Sequence, residues 1–100
     1  MINAKQELLE VLKELDDKTI KCAIIDTMVT TLLKVGYNKE DLETFFNSLD
    51  FIYDEEYGIQ YISGTVWFHD NTWLSRGEYD GLEWWQYDTI PPIPEELLNN

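Results

Sequence analysis

Cysteine, histidine and arginine each occur once, at Cys22, His69 and Arg76. A single cysteine excludes an internal disulfide, and one cysteine with one histidine leaves a zinc-type ligand set incomplete. No cofactor is therefore expected. The five glycines form no phosphate-binding loop. Apolar runs extend only a few residues, too short to span a bilayer, and the N-terminus lacks the charged-then-apolar layout of an export signal. The expected address is a reducing cytoplasm, with no membrane partner. Positive charge is the other scarcity: seven basic residues face twenty acidic ones, a formal net charge of −13. Nucleic acid and anionic lipid would both repel such a chain, so neither is expected to bind it directly.

What is present suffices to fold. The 100 residues are 44% hydrophobic and 14% aromatic, unlike a disordered tail, and their number fits one domain over residues 1–100. The charge divides sharply. Residues 1–39 balance six acids with six lysines, whereas residues 40–100 hold fourteen acids and only Arg76 as a base. Like charge at that density costs stability, while solubility needs a net magnitude of only about 2–8. The imbalance points to a cationic partner, weighed against an ordinary acidic protein.

Leu8, Leu12 and Leu15 with Leu9 recur at helical spacing and predict a helix over Ala4–Asp16, capped by Asn3. Lys18–Val35 also contains a helical stripe, but its many β-branched residues favour a hairpin, Thr19–Ile25 with Val29–Val35. Asn38 caps a second helix, Lys39–Leu49, with Leu42, Phe45, Phe46 and Leu49 inward. Residues 1–49 thus form a helical and mixed part. Over residues 50–90, Phe51–Asp54 and Ile59–Ser63 read as strands around an acidic loop, followed by two tight hairpins. Thr65–His69 and Thr72–Arg76 turn at Asp70–Asn71; Arg76–Tyr79 and Leu82–Tyr87 turn at Asp80–Gly81. Prolines 91, 92 and 94 stop the sheet and open a short polar tail, residues 91–100. The expected class is α+β, an antiparallel sheet of consecutive hairpins packed on one or two N-terminal helices.

Two-residue turns would fix the register and the faces. Val66, Phe68, Trp73, Tyr79, Leu82 and Trp84 then form the core face, with Trp84 covering Gly77. The other face carries Trp67, His69, Thr72, Leu74, Arg76, Glu78, Glu83, Trp85 and Tyr87. On it Arg76 meets Trp85 as a cation–π pair, and Glu78 faces Glu83 unfavourably. Large aromatics beside unpaired carboxylates resemble an interface hot spot, the alternative being that an N-terminal helix or the proline tail covers Trp67 and Trp85. Catalysis is the poorer reading. Glu78 and Glu83 could pose as a glycosidase pair, but no deep cleft is expected. His69 beside Asp70 lacks a nucleophile elbow at Ser63 or Ser75, and Asp54–Glu56 lacks the spacing of a calcium loop. No enzyme is expected.

The run Gly64–Tyr87, GTVWFHDNTWLSRGEYDGLEWWQY, resembles the ending of small acidic proteins of bacteriophages and prophages, a group with no assigned activity. Lys34–Tyr37 and Ser48–Asp54 extend the resemblance over roughly residues 19–90. The chain departs at Asn71, where glycine would be expected, and at Leu82, where a small polar residue is usual. The resemblance implies a phage setting, with the host cytoplasm as its location, and carries over no catalytic residue. Joined to the charge, it leads to the expectation of an inhibitor of a host defence complex, anti-CRISPR or anti-restriction, acting by phosphate mimicry. Its partner would be a basic nuclease or CRISPR effector. The expected surrogates are Asp54, Glu55, Glu56, Asp70, Glu78, Asp80, Glu83 and Asp88, with Trp67 or Trp85 as an apolar anchor. The alternatives are a protein-interaction module using the aromatic face, or a carbohydrate-binding module.

Overall fold

The computed structural model describes residues 1–54 and 60–98. Leucine spacing in the N-terminal segment produces helix α1 (Ala4–Glu14), which buries Ala4, Leu8 and Leu12. The Asn3 side chain caps it by accepting from the Gln6 amide at 3.0 Å. The helix ends two residues before the expected Asp16. Both Asp16 and Asp17 take left-handed conformations, φ 57° and 53°, and the Asp17 amide donates back to the Leu12 carbonyl at 2.9 Å. Strand β1 (Ile2–Asn3) precedes this helix and pairs with β4 (Ile52–Tyr53).

The β-branched segment is a hairpin, β2 (Ile20–Asp26) with β3 (Thr30–Leu33), as its strand propensity predicts. A bulge between Ile20 and Cys22 adds one residue to β2. The extra residue lets Ile20 and Ala23 both face inward although an odd interval separates them. Helix α2 (Lys39–Ser48) follows, with a capping box in which Asn38 and Asp41 satisfy each other's amides. It buries Phe45 and delivers Leu49 to the core. Then come β5 (Ser63–Phe68), β6 (Trp73–Tyr79), β7 (Leu82–Asp88) and a single turn of helix, α3 (Glu95–Leu98), in the proline-bearing tail.

Among the described residues the strands form two sheets, β1–β4 and a five-stranded antiparallel sheet in the order β3-β2-β5-β6-β7. The α+β class is as the sequence predicts, with the N-terminal helix packed on the sheet. One strand assignment differs: β4 pairs with the N-terminus rather than with the following segment. Residues 60–62 are not strand, and Ile59 lies outside the described residues. The shortest dimension, 22 Å, is that of one helix layer on one sheet, each roughly 10 Å deep. The core lies between those layers. Leu8, Leu12, Ile25, Val66, Phe68 and Leu74 meet there, and each such side chain contributes about 1.5–3 kcal/mol by leaving water.

The hairpins correct the expected faces. At Asp80–Gly81 the register is as expected: Tyr79 opposes Leu82, and both turn residues have positive φ, the type I′ geometry. At the first hairpin Trp67 opposes Trp73 and Val66 opposes Leu74, and the Phe68 amide donates to the Thr72 carbonyl at 2.9 Å. The loop is therefore His69–Asp70–Asn71, with Asn71 left-handed at φ 65°. That is a three-residue connection, not two. A one-residue shift inverts every side chain beyond it. Leu74, Arg76, Glu83 and Trp85 consequently point inward, while Trp73, Tyr79, Leu82 and Trp84 point outward. Val66 and Phe68 remain in the core.

Asn71 is left-handed, and glycine bears no Cβ penalty in that conformation. Asn71→Gly is expected to raise stability by about 0.3–1 kcal/mol, net of the entropy gained by the unfolded chain. A rise in the thermal midpoint checks this.

Candidate interaction surface

The inward face has a polar centre. The Arg76 side chain is 1% exposed and ion-pairs with Glu7 of α1 at 3.0 Å and Glu83 of β7 at 3.2 Å. Its guanidinium also donates to the Tyr53 hydroxyl, and that hydroxyl donates to Glu7 at 2.6 Å. Glu83 accepts in addition from the Tyr61 and Ile62 amides, at 2.6 and 3.0 Å. The Arg76 guanidinium lies 5.1 Å from the Trp85 ring, the expected cation–π pair, now in the interior. Burial pulls the Arg76 pKa down, but Glu7 and Tyr53 more than offset it, so the group stays charged. Burial and the Glu7 contact push the Tyr53 hydroxyl well above its ordinary range.

This arrangement corrects two expected site residues. Glu83 and Trp85 were expected at a surface; both are buried. Glu83 cannot serve as a phosphate surrogate while its oxygens hold Arg76 and two amides. The feared repulsion with Glu78 is relieved because Glu83 is neutralised by Arg76, while Glu78 turns to accept from the Gly81 amide at 2.9 Å. Among the described residues, no three histidine, cysteine or acidic side chains converge on a metal-sized site.

The remaining expected acids do not share one patch. Asp70 lies in the β5–β6 loop, and Asp88, opposite Trp73, lies near the same end of the sheet. Glu78 and Asp80 lie at the β6–β7 turn, the far end of a strand about 20 Å long. Asp54 follows β4 and is half-buried. Glu55 and Glu56 lie outside the described residues. The Asp70 carboxylate is engaged: Lys18 sits 2.6 Å away and also donates to the Tyr87 hydroxyl. Lys18 and Thr72 hold the Asp70 carboxyl down at about 2.

The outward face of the sheet looks quite different. Ile24, Trp67, Trp73, Trp84 and Leu82 share it, with Leu32 at its β3 margin. Trp67 and Trp84 are each 39% exposed and Leu82 is 49% exposed. A shallow groove of about 400 Å³ runs past Cys22, Trp67 and Trp73, with Ile90 of the tail at its border. Trp84 lies flat on Gly77, as its position opposite that glycine predicts; a Cβ on Gly77 would meet the indole at 2.4 Å. The sheet thus buries an arginine and a glutamate while leaving three tryptophans on its open side. The outward placement of Trp67 is as the sequence predicts; Trp73 and Trp84 also face outward, whereas the expected register puts them in the core.

No family model, curated protein or solved structure matches the chain.

Two predictions follow from this geometry. Glu83→Gln should cost about 3–5 kcal/mol in chemical denaturation, by removing one of the two carboxylates that pair Arg76 and by setting the side-chain NH2 against one of the two backbone amides that Glu83 now accepts from. Glu78→Gln, at the surface, should change stability by under about 0.5 kcal/mol. The depressed Asp70 pKa means the folded state binds a proton less readily than the unfolded chain. Its contribution is therefore full above the ordinary carboxylate range and fades as pH falls toward about 2. Melting between about pH 5 and 2 should show a shallower acid decline for Asp70→Asn than for the parent, most clearly at low salt.

Proposed function

We propose that this chain is a non-enzymatic binding module that docks a basic protein against the open tryptophan face of its sheet. The observation that carries the reading is an outward sheet face that leaves Trp67, Trp84, Leu82 and Ile24 exposed, with Trp73 half-buried on it, while Arg76 and Glu83 pair inside. Exposed large apolar residues sharing one sheet face, here in two clusters on either side of the Thr65–Ser75–Gln86 row, are what interfaces present, and tryptophan is enriched among residues that dominate binding energy. The net charge of −13 selects the partner's sign. Carboxylates at both ends of the sheet, Asp88 and Asp80 among them, would steer a cationic surface onto the aromatic centre. In the phage setting implied by Gly64–Tyr87, a host nucleic-acid-binding complex of the CRISPR or restriction type meets that requirement, and blocking it would be the biological role.

Phosphate mimicry is the second reading, favoured by the acid excess after residue 39. Among the described residues, Lys18 is the lysine that closes an ion pair with that half, onto Asp70. The separation of Asp70 and Asp88 from Glu78 and Asp80 favours the aromatic face over a continuous phosphate-like row.

Retention of a cationic partner from bacterial lysate, followed by affinity measurement with the purified partner, distinguishes the two. Trp67→Thr with Trp84→Thr keeps strand propensity and should weaken binding by about 2–4 kcal/mol, with the far-ultraviolet circular dichroism unchanged. Hydrogen exchange should slow on β5, β6 and β7. Mimicry instead requires affinity that survives the tryptophan changes, falls with Asp80→Asn and Glu78→Gln, and declines steeply with salt.

A further inference from the structure

Away from the tryptophan face, strand β3 forms a free margin of the five-stranded sheet, and helix α2 stands beside it. Between them runs a groove of about 460 Å³. One wall is the continuous backbone Val29–Lys34; the other is the α2 face formed by Asp41, Thr44, Phe45 and Ser48, spaced by three and four residues. Among the described residues, no backbone bond outside the helices and ladders involves Thr30–Leu33. The outer edge of β3 therefore offers main-chain donors and acceptors along its length.

Edges left open are ordinarily blunted by charge, proline or a covering element. Here Thr27 through Leu33 contain no charge in a chain that is 27% charged, and Val29 and Leu32 are exposed. We infer that β3 accepts an extended peptide segment as a sixth strand, seated between β3 and α2. This is strand addition against a helical wall, in which main-chain bonds give affinity and alternate side chains give selectivity. Inward side chains of the guest would meet Leu33 and Phe45 at the groove floor, so they are apolar or β-branched.

Charge fixes the rest of the guest. Lys34 and Asp41 on the groove walls offset each other, but α2 adds Glu40 and Glu43 against Lys39 alone, so the groove margin is net acidic. The guest therefore carries lysine or arginine. A second copy of this chain is disfavoured as the occupant, because each copy brings a charge of −13. Leu32 borders both this edge and the tryptophan face, but Trp67, Trp73 and Trp84 do not line the groove, and the site does not depend on them.

A displayed library of random short peptides, selected on the full chain and counter-selected on Thr44→Arg, tests the inference. Thr44 is exposed on the helix, and arginine is a good helix former that fills the groove. Retained peptides should alternate apolar or β-branched residues with lysine or arginine. One such peptide, synthesised, should slow amide exchange across Thr30–Leu33 of the parent chain. It should bind Thr44→Arg at least about tenfold more weakly and Trp67→Thr equally well. Equal retention by both proteins, peptides without basic residues, or protection that misses Thr30–Leu33 would overturn the inference. The exchange measurement on the parent chain decides the matter even if Thr44→Arg fails to fold.

Discussion

The interior placement of Arg76 organises the molecule. Its guanidinium reaches β6, β7, α1 and the β4 tyrosine at once, and Glu83 extends the network to the amides of residues 61 and 62. A charge in so dry a place is tolerable only when every donor finds an acceptor. Leaving any member unpaired is therefore expensive. With Leu74 and Trp85 on the same inward face, that cost holds Arg76 and Glu83 to one arrangement against α1. Hydrophobicity alone would have chosen otherwise, since Trp73, Tyr79, Leu82 and Trp84 form the more apolar set.

The same choice creates the open face. Once Arg76 and Glu83 occupy the interior, strand alternation sends their neighbours outward. Trp84 gains the glycine beside it as a platform, and Trp67 and Trp73 pair across the first hairpin. A polar network that specifies the inside is thus the cause of an apolar outside. The outward aromatics are positioned by strands whose register is pinned at the two hairpin loops.

Local signals were legible where one residue type decides the geometry. Asn3 and Asn38 mark both helix starts, β-branched density marks β2 and β3, and Asp80–Gly81 marks its turn and the pairs beyond it. The faces of β6 and β7 were not legible for a specific reason. Asp70–Asn71 satisfies a two-residue turn by residue type, but the Asp70 carboxylate accepts from the Thr72 amide and Lys18 holds it from a distant segment. That long-range contact, with the Arg76 network, favours the three-residue loop. Glu83 and Trp85 were therefore placed on the wrong side, while Trp67, on the unaffected strand, was placed correctly. The Lys21 bulge disguised β2 in the same way, giving Ile20 and Ala23 a helical interval within a strand.

Acidity then takes a different role from the one its abundance suggests. Asp41 caps α2, Asp70 ties the β5–β6 loop to Lys18, Asp88 accepts from Ser75 at 2.6 Å, and Glu83 holds Arg76. Each of these carboxylates is committed to a specific partner inside the fold. The surplus that remains is distributed around the sheet ends and α2, where it can attract and orient a cationic partner at long range but does not trace a phosphate-like line. On the proposed reading, the short-range energy comes from the tryptophan face. On that reading, charge would set which partner arrives and the aromatic sheet how tightly it stays.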